Sequence, residues 1–144
     1  MKKALLSVLL VAGCLTATAQ ERPLWMRYSA ISPDGKTIAF SYQGDIFSVP
    51  ATGGIARQLT SNPAYDSYPV WSPDGSKIAF ASDREGSLDV YVINSNGGTP
   101  SRLTTHSKDE LPVTFKDDDH VLFSMSDMPS PESNIFASAK FPQT

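Results

Sequence analysis

Val70-Trp71-Ser72-Pro73-Asp74-Gly75-Ser76-Lys77-Ile78-Ala79-Phe80 restates Ala30-Ile31-Ser32-Pro33-Asp34-Gly35-Lys36-Thr37-Ile38-Ala39-Phe40, 40 residues earlier in the chain. The match continues downstream. Asp45-Ile46-Phe47-Ser48-Val49 pairs with Asp89-Val90-Tyr91-Val92-Ile93, Gly53-Gly54 with Gly97-Gly98, and Leu59-Thr60 with Leu103-Thr104, now at an interval of 44. The four additional residues fall around Arg84 to Ser87, read here as a surface loop that disturbs no core position. A degraded third copy follows. Pro112-Val113-Thr114-Phe115 aligns with Pro69-Val70-Trp71-Ser72, and Lys116-Asp117-Asp118-Asp119 stands in for the Ser-Pro-Asp-Gly turn. His120-Val121-Leu122-Phe123 and Asn134-Ile135-Phe136 complete what is legible of it.

Each copy reads as four short strands. Ser32-Pro33-Asp34-Gly35 and Ser72-Pro73-Asp74-Gly75 are turn sequences: proline presets φ, aspartate suits the third position, and glycine accepts positive φ at the fourth. The strand after the turn, Ile-Ala-Phe, is apolar on both faces, as a sheet sandwiched between two others requires. Ala39 and Ala79 are small where a neighbouring sheet is expected to press close. Gly53-Gly54 and Gly97-Gly98 turn the chain into a fourth strand that ends at Leu-Thr. Turn and core residues recurring together at 40 to 44 residues point to sheets stacked face to face. The fold class is all-β, a partial β-propeller of about three four-stranded blades with the third incomplete. A β-sandwich is the alternative, but it needs no such long period.

The bulk numbers agree with one globular domain. The chain has 144 residues, 40% hydrophobic and 19% charged, which excludes a disordered tail. A net charge of -3 without a basic block argues against nucleic acid as partner. Residues 1–19 have the layout of a secretory signal peptide: Lys2 and Lys3, an apolar run from Ala4 to Leu15, then Ala17-Thr18-Ala19. The run is too short to span a membrane, which takes roughly 20 residues. A first helix buried in the fold is the competing account. Val11-Ala12-Gly13-Cys14 resembles a lipobox, so a lipid anchor at Cys14 competes with cleavage after Ala19. The latter leaves a mature chain without cysteine, needing no disulfide in an oxidising compartment. Residues 20–144 then hold blade 1 at about 26–60, blade 2 at about 68–104 and partial blade 3 at about 111–144.

Trp-Ser-Pro-Asp-Gly-x-x-Ile-Ala-Phe followed by Tyr, Gly-Gly and Leu-Thr resembles the WD40-like repeat of TolB and of tricorn-type proteases, from Trp25 to about Phe136. The short entry Pro23-Leu24-Trp25-Met26-Arg27-Tyr28 resembles secreted tricorn-like serine peptidases of the C-terminal-processing clan. That resemblance implies a periplasmic propeller that filters or holds peptides, ahead of a PDZ-like module and a protease core. No residue stretch of this chain matches such a core. A TolB-like interaction propeller, or a truncated piece without independent role, are the other readings. Ser29 stands where Pro69 does, and the third copy lacks its turn motif and a fourth strand.

Motifs that carry chemistry are sparse in this sequence. No Gly-x-Ser-x-Gly elbow is present, and His106 and His120, the two imidazoles, read as solvated loop residues. Asp117-Asp118-Asp119-His120 invites a metal reading, yet its spacing is not an EF-hand loop and a polar hairpin tip is the plainer account. No catalytic residue, cofactor or metal is therefore assigned. Tyr65, Asp66 and Tyr68, between two copies, are candidates for a peptide-lining surface, with packing at the core edge as the alternative. The partner expected is a peptide or protein. Uncovered blade faces and an open edge strand also predict self-association.

Overall fold

The computed structural model describes residues 25–126 and 134–140. The leader and Cys14 lie outside the described residues, as do 127–133 and 141–144. Three antiparallel sheets follow one another along the chain. The first holds β1 (Arg27–Ile31), β2 (Thr37–Tyr42), β3 (Asp45–Pro50) and β4 (Arg57–Gln58). The second holds β5 (Asp66–Trp71), β6 (Lys77–Ser82), β7 (Asp89–Asn94) and β8 (Ser101–Arg102). Both are simple meanders in which each strand pairs with the next. The third sheet has three strands, β9 (Glu110–Asp117), β10 (His120–Ser126) and β11 (Asn134–Lys140), with β10 in the middle. All described secondary structure is strand, so no described helix is long and apolar enough to cross a membrane.

The repeated turn is built the same way twice. Gly35 and Gly75 sit at φ 72° and 71°, where a Cβ would be strained, and their N–H groups donate to Ser32 and Ser72 carbonyls at 2.9 Å. The serine hydroxyl donates to the aspartate two residues on, at 2.6 Å in both copies. It also accepts from the N–H that opens the next strand, Thr37 or Lys77, at 2.9 Å. Serine, aspartate and glycine thus form one closed hydrogen-bond unit, which explains why they recur together. The Leu-Thr pair has an equally specific task. Thr60 Oγ1 accepts from Ile46 N–H, and Thr104 Oγ1 from Val90 N–H, both at 2.9 Å, satisfying a buried donor that no strand reaches.

These turns make stability depend on acid. Asp74 is held near pKa about 2, against its ordinary 3.8, chiefly by the Ser72 hydroxyl and then by Ser76. Asp34 is lowered too, first by Ser32. A carboxylate whose folded pKa is depressed contributes stability above its unfolded pKa and loses it as pH falls toward the folded value. Asp74→Asn is therefore expected to lower the melting temperature at neutral pH. The gap to the unmodified protein should close between pH about 4 and 2. A gap that stays constant across that window would remove the turn carboxylate from this role.

Packing between sheets explains the apolar strands. Ala39, Ile46 and Leu59 of the first sheet join Ile78, Phe80, Tyr91 and Ile93 of the second in one core cluster, with Trp71 packed against it. Ala79, Val90 and Val92 on the second sheet's other face join Phe115, Val121 and Phe123 of the third. Ile78, Ala79, Phe80 and Ala81 are all 0% exposed, so this strand is buried on both faces as a sandwiched blade must be. Alanine occupies each of the two joints, Ala39 at the first and Ala79 at the second. The first strands β1, β5 and β9 lie beside one another at the inner edge, and the short β4 and β8 form the outer edges. Trp71 Nε1 ties the first two sheets together by donating to the Ala30 carbonyl at 3.1 Å.

Two details differ from the sequence alignment. Phe115, not Thr114, is the counterpart of Trp71, because Phe115 pairs with Val121 as Trp71 pairs with Ile78. The acidic turn of the third sheet is one residue shorter than Ser-Pro-Asp-Gly, and register shifts in β9 absorb the difference. The loop inserted around Arg84 is also more than surface. Arg84 Nη2 lies 2.9 Å from both carboxylate oxygens of Asp66, and its guanidinium sits over the Tyr91 ring at 4.5 Å.

Candidate peptide-binding surface

Tyr28 on β1 and Tyr68 on β5 lie 40 positions apart and both sit on bulges. Each adopts a left-handed backbone, φ 51° and 55°, which is costly for a tyrosine. A bulge of this kind re-aims a side chain out of the strand's alternation. The two rings meet at the inner edge of the sheets with centroids 3.8 Å apart and 30° between planes. The Tyr68 hydroxyl donates to the Tyr28 hydroxyl at 3.1 Å. That hydrogen bond, followed by burial, raises the Tyr68 pKa.

Beside the stack lies a cleft of about 560 Å³ lined by Trp25, Arg27, Tyr42, Gln43 and Tyr65 among others. Arg27 rests its guanidinium over the Trp25 ring at 5.6 Å, and among the described residues it forms no ion pair with a carboxylate. Trp25 and Tyr65 are 63% and 43% exposed, which leaves two large rings open to a ligand. Tyr65 is pinned by its N–H, which donates to Asp83 Oδ1 at 2.7 Å. Exposed aromatic rings beside a guanidinium suit an extended peptide: rings contact side chains, and the guanidinium takes a carboxylate or carbonyl.

Of the three residues proposed from sequence, Tyr65 and Tyr68 fall on or next to this surface. Asp66 does not face it. Its side chain is wholly buried, with both oxygens taken by Arg84. Tyr28, Arg27 and Trp25 stand out in the sequence only as part of the entry into the first repeat and not as binding residues, although the interval from Tyr28 to Tyr68 matches that of the turns. The turn residues Ser32, Pro33, Asp34, Gly35, Ser72, Pro73, Asp74 and Gly75 lie at the opposite end of the inner strands, between β1 and β2 and between β5 and β6. Gly53-Gly54 and Gly97-Gly98, all at positive φ, follow β3 and β7.

Elsewhere the polar clusters have structural partners. His120 Nδ1 lies 2.7 Å from Asp117 Oδ1, a contact that lowers the Asp117 pKa. Asp118 Oδ1 accepts from Asp74 N–H at 3.0 Å, and Lys77 Nζ donates to the Asp118 carbonyl at 3.1 Å, so the acidic tip clasps the turn of the preceding sheet. His106 Nδ1 accepts from Lys108 N–H at 3.2 Å. Among the described residues, no group of three histidine, cysteine or acidic side chains could hold a metal. Burial raises the Asp89 pKa against the pull of Arg102, whose Nη2 lies 2.7 Å from Asp89 Oδ2.

Comparison with known proteins agrees with this architecture. A chain from Streptomyces coelicolor, tricorn protease homolog 1, is 33% identical over 87 residues, covering 60% of this chain and 8% of that protein. The structure of a putative TolB from Agrobacterium tumefaciens superposes with TM-score 0.67 at 27% identity, covering 77% of this chain and 42% of that one. The crystal structure of the tricorn protease shares the fold alone, with TM-score 0.55 at 15% identity over 78% of this chain and 12% of that one. This chain therefore spans less than half of each of these relatives. The family profile of the tricorn protease N-terminal beta propeller domain matches residues 23–138, and the chain belongs to that family.

Proposed function

We propose that the chain is a non-catalytic propeller segment that holds peptides at its inner edge, as the substrate-filtering propeller of a secreted, periplasmic tricorn-like serine protease whose core lies outside this sequence. The observation that carries the reading is the Tyr28–Tyr68 stack. Two tyrosines kept in strained left-handed positions, beside an open aromatic cleft whose arginine forms no ion pair among the described residues, suit ligand contact better than packing. Labelled unstructured peptides titrated against the purified protein test it by fluorescence anisotropy. Tyr28→Ala with Tyr68→Ala, and Arg27→Ala separately, should each weaken binding roughly tenfold. Affinity unchanged in variants that keep their strand circular dichroism would refute peptide holding. The protease context is tested in the gene: a reading frame continuing past Thr144 into a serine-protease core supports it, and further sheets closing a ring before a stop do not. That second outcome is the TolB-like interaction propeller, a reading favoured by the TM-score of 0.67.

A further inference from the structure

Neighbouring turns meet differently at the two joints. At the second joint Asp118, in the acidic tip between β9 and β10, reaches back to the turn before it. Its Oδ1 accepts from the Asp74 N–H at 3.0 Å, and its carbonyl accepts from Lys77 Nζ at 3.1 Å. A carboxylate thus seats itself on a backbone donor beside a cation. At the first joint that seat receives no carboxylate from the chain. The two turns still touch: Pro33 Cδ lies 3.8 Å from where a Cβ on Gly75 would stand. Asp34 is the repeat equivalent of Asp74, and its N–H has no acceptor among the described residues. Gly75 has no side chain to offer it, and Asp74 folds its carboxylate back onto Ser72 and Ser76.

A cleft of about 700 Å³ lies between these two turns. Exposed Arg57 on β4 lines it, together with half-buried Trp71 and Ile55, which is 93% exposed. Arg57 Nη2 donates to the Asn96 carbonyl across the joint, and the guanidinium forms no ion pair with a carboxylate among the described residues. Asp34 and Asp74 line the cleft too, but their oxygens are engaged. Asp34 Oδ1 accepts from the Ser32 hydroxyl and the Lys36 N–H, and Asp74 is held as described. Asp74 is engaged in the same way at the second joint, where Asp118 docks beside it all the same. The donors left over are the Arg57 guanidinium and the Asp34 N–H, and these call for an anion.

We propose that this cleft is a second binding site, for the carboxylate of an acidic peptide side chain flanked by apolar residues. The carboxylate takes Arg57 and the Asp34 N–H, as Asp118 takes the Asp74 N–H at the next joint. The apolar neighbours cover Trp71 and Ile55, so that a few polar groups orient a largely apolar contact. Every lining residue falls between Ser32 and Asn96, within the two four-stranded sheets. None of them lines the cleft beside the tyrosine stack, which lies at the other end of the inner strands. The two sites therefore stand or fall separately.

The probe is a fluorescein-labelled Leu-Asp-Leu peptide with both ends blocked, titrated against the purified protein and read by anisotropy. Its Leu-Asn-Leu counterpart should bind roughly tenfold more weakly. Arg57→Ala should weaken the aspartate peptide by about the same factor and leave the asparagine peptide unchanged, and added salt should act in the same direction. In amide NMR spectra the Asp34 resonance should shift as the aspartate peptide is added. Equal affinity for the aspartate and asparagine peptides would overturn the proposal, and that comparison needs no variant to fold. Tighter binding of a Leu-Lys-Leu peptide would give the cleft to a cation and overturn it as well. A free-ended Leu-Leu peptide that binds more tightly than Leu-Asp-Leu would overturn the choice of a side chain over a chain terminus. Binding lost in Arg27→Ala but kept in Arg57→Ala would place the peptide on the tyrosine surface, overturning this site and leaving the other intact.

Discussion

Arg84→Ala is expected to destabilise the protein by about 3–5 kcal/mol, the cost of stranding a buried charge. Asp66 has no exposed side-chain surface, and both its oxygens depend on Arg84. The arginine does more than neutralise. It donates from Nε to Ser82 Oγ at 2.8 Å and lies over Tyr91 and Phe80, so its removal also uncovers aromatic surface at the first joint. A compensating variant separates these effects. Met26 holds the Asp66 position in the first repeat, where the Arg84 loop is absent. Asp66→Met combined with Arg84→Ala should therefore recover much of the loss, because a packed apolar pair can replace a buried ion pair. Urea denaturation of the three variants checks both statements. An Arg84→Ala midpoint equal to that of the parent would show that Asp66 does not rely on this partner.

Phe80→Ala should cost about as much, roughly 3–5 kcal/mol, by a different route. Phe80 is 0% exposed, sits on the central strand of the middle sheet and stacks against Tyr91 at 6.0 Å. Its neighbours come from two sheets, so the cavity cannot close by moving one side chain. Ile55→Ala provides the contrast: at 93% exposure it should change stability by less than about 0.5 kcal/mol. A small effect at Phe80 in thermal melts would mean that the first two sheets do not share the core described.

Much of the architecture was readable from residue spacing because each recurring residue has a local task. Ser72, Asp74 and Gly75 close a turn among themselves, and Thr104 satisfies a donor on β7, 14 residues back, so their chemistry shows in a short window. Ile78-Ala79-Phe80 announced burial on both faces for the same reason. What the spacing hid was set by distant partners or by backbone angles. Arg84 looked like part of a solvated insertion because its partner Asp66 lies in another strand. Asp66 looked like a surface acid between two repeats, and only the packed sheets reveal it as interior. Phe115 was displaced by one position because a turn shortened and a bulge compensated. Tyr28 and Tyr68 carry no mark in their letters of the left-handed backbone that brings their rings together.

The buried acid and the loop that answers it depend on each other within the second repeat. The first repeat has methionine in place of Asp66 and a tight Gln43-Gly44 corner in place of the Arg84 loop, and is self-consistent without either. A lineage that lost the loop while keeping the acid would carry an unanswered charge in its interior, and one that lost only the acid would keep a cation lying across two rings. Insertion and acid should thus be gained and discarded together among related blades.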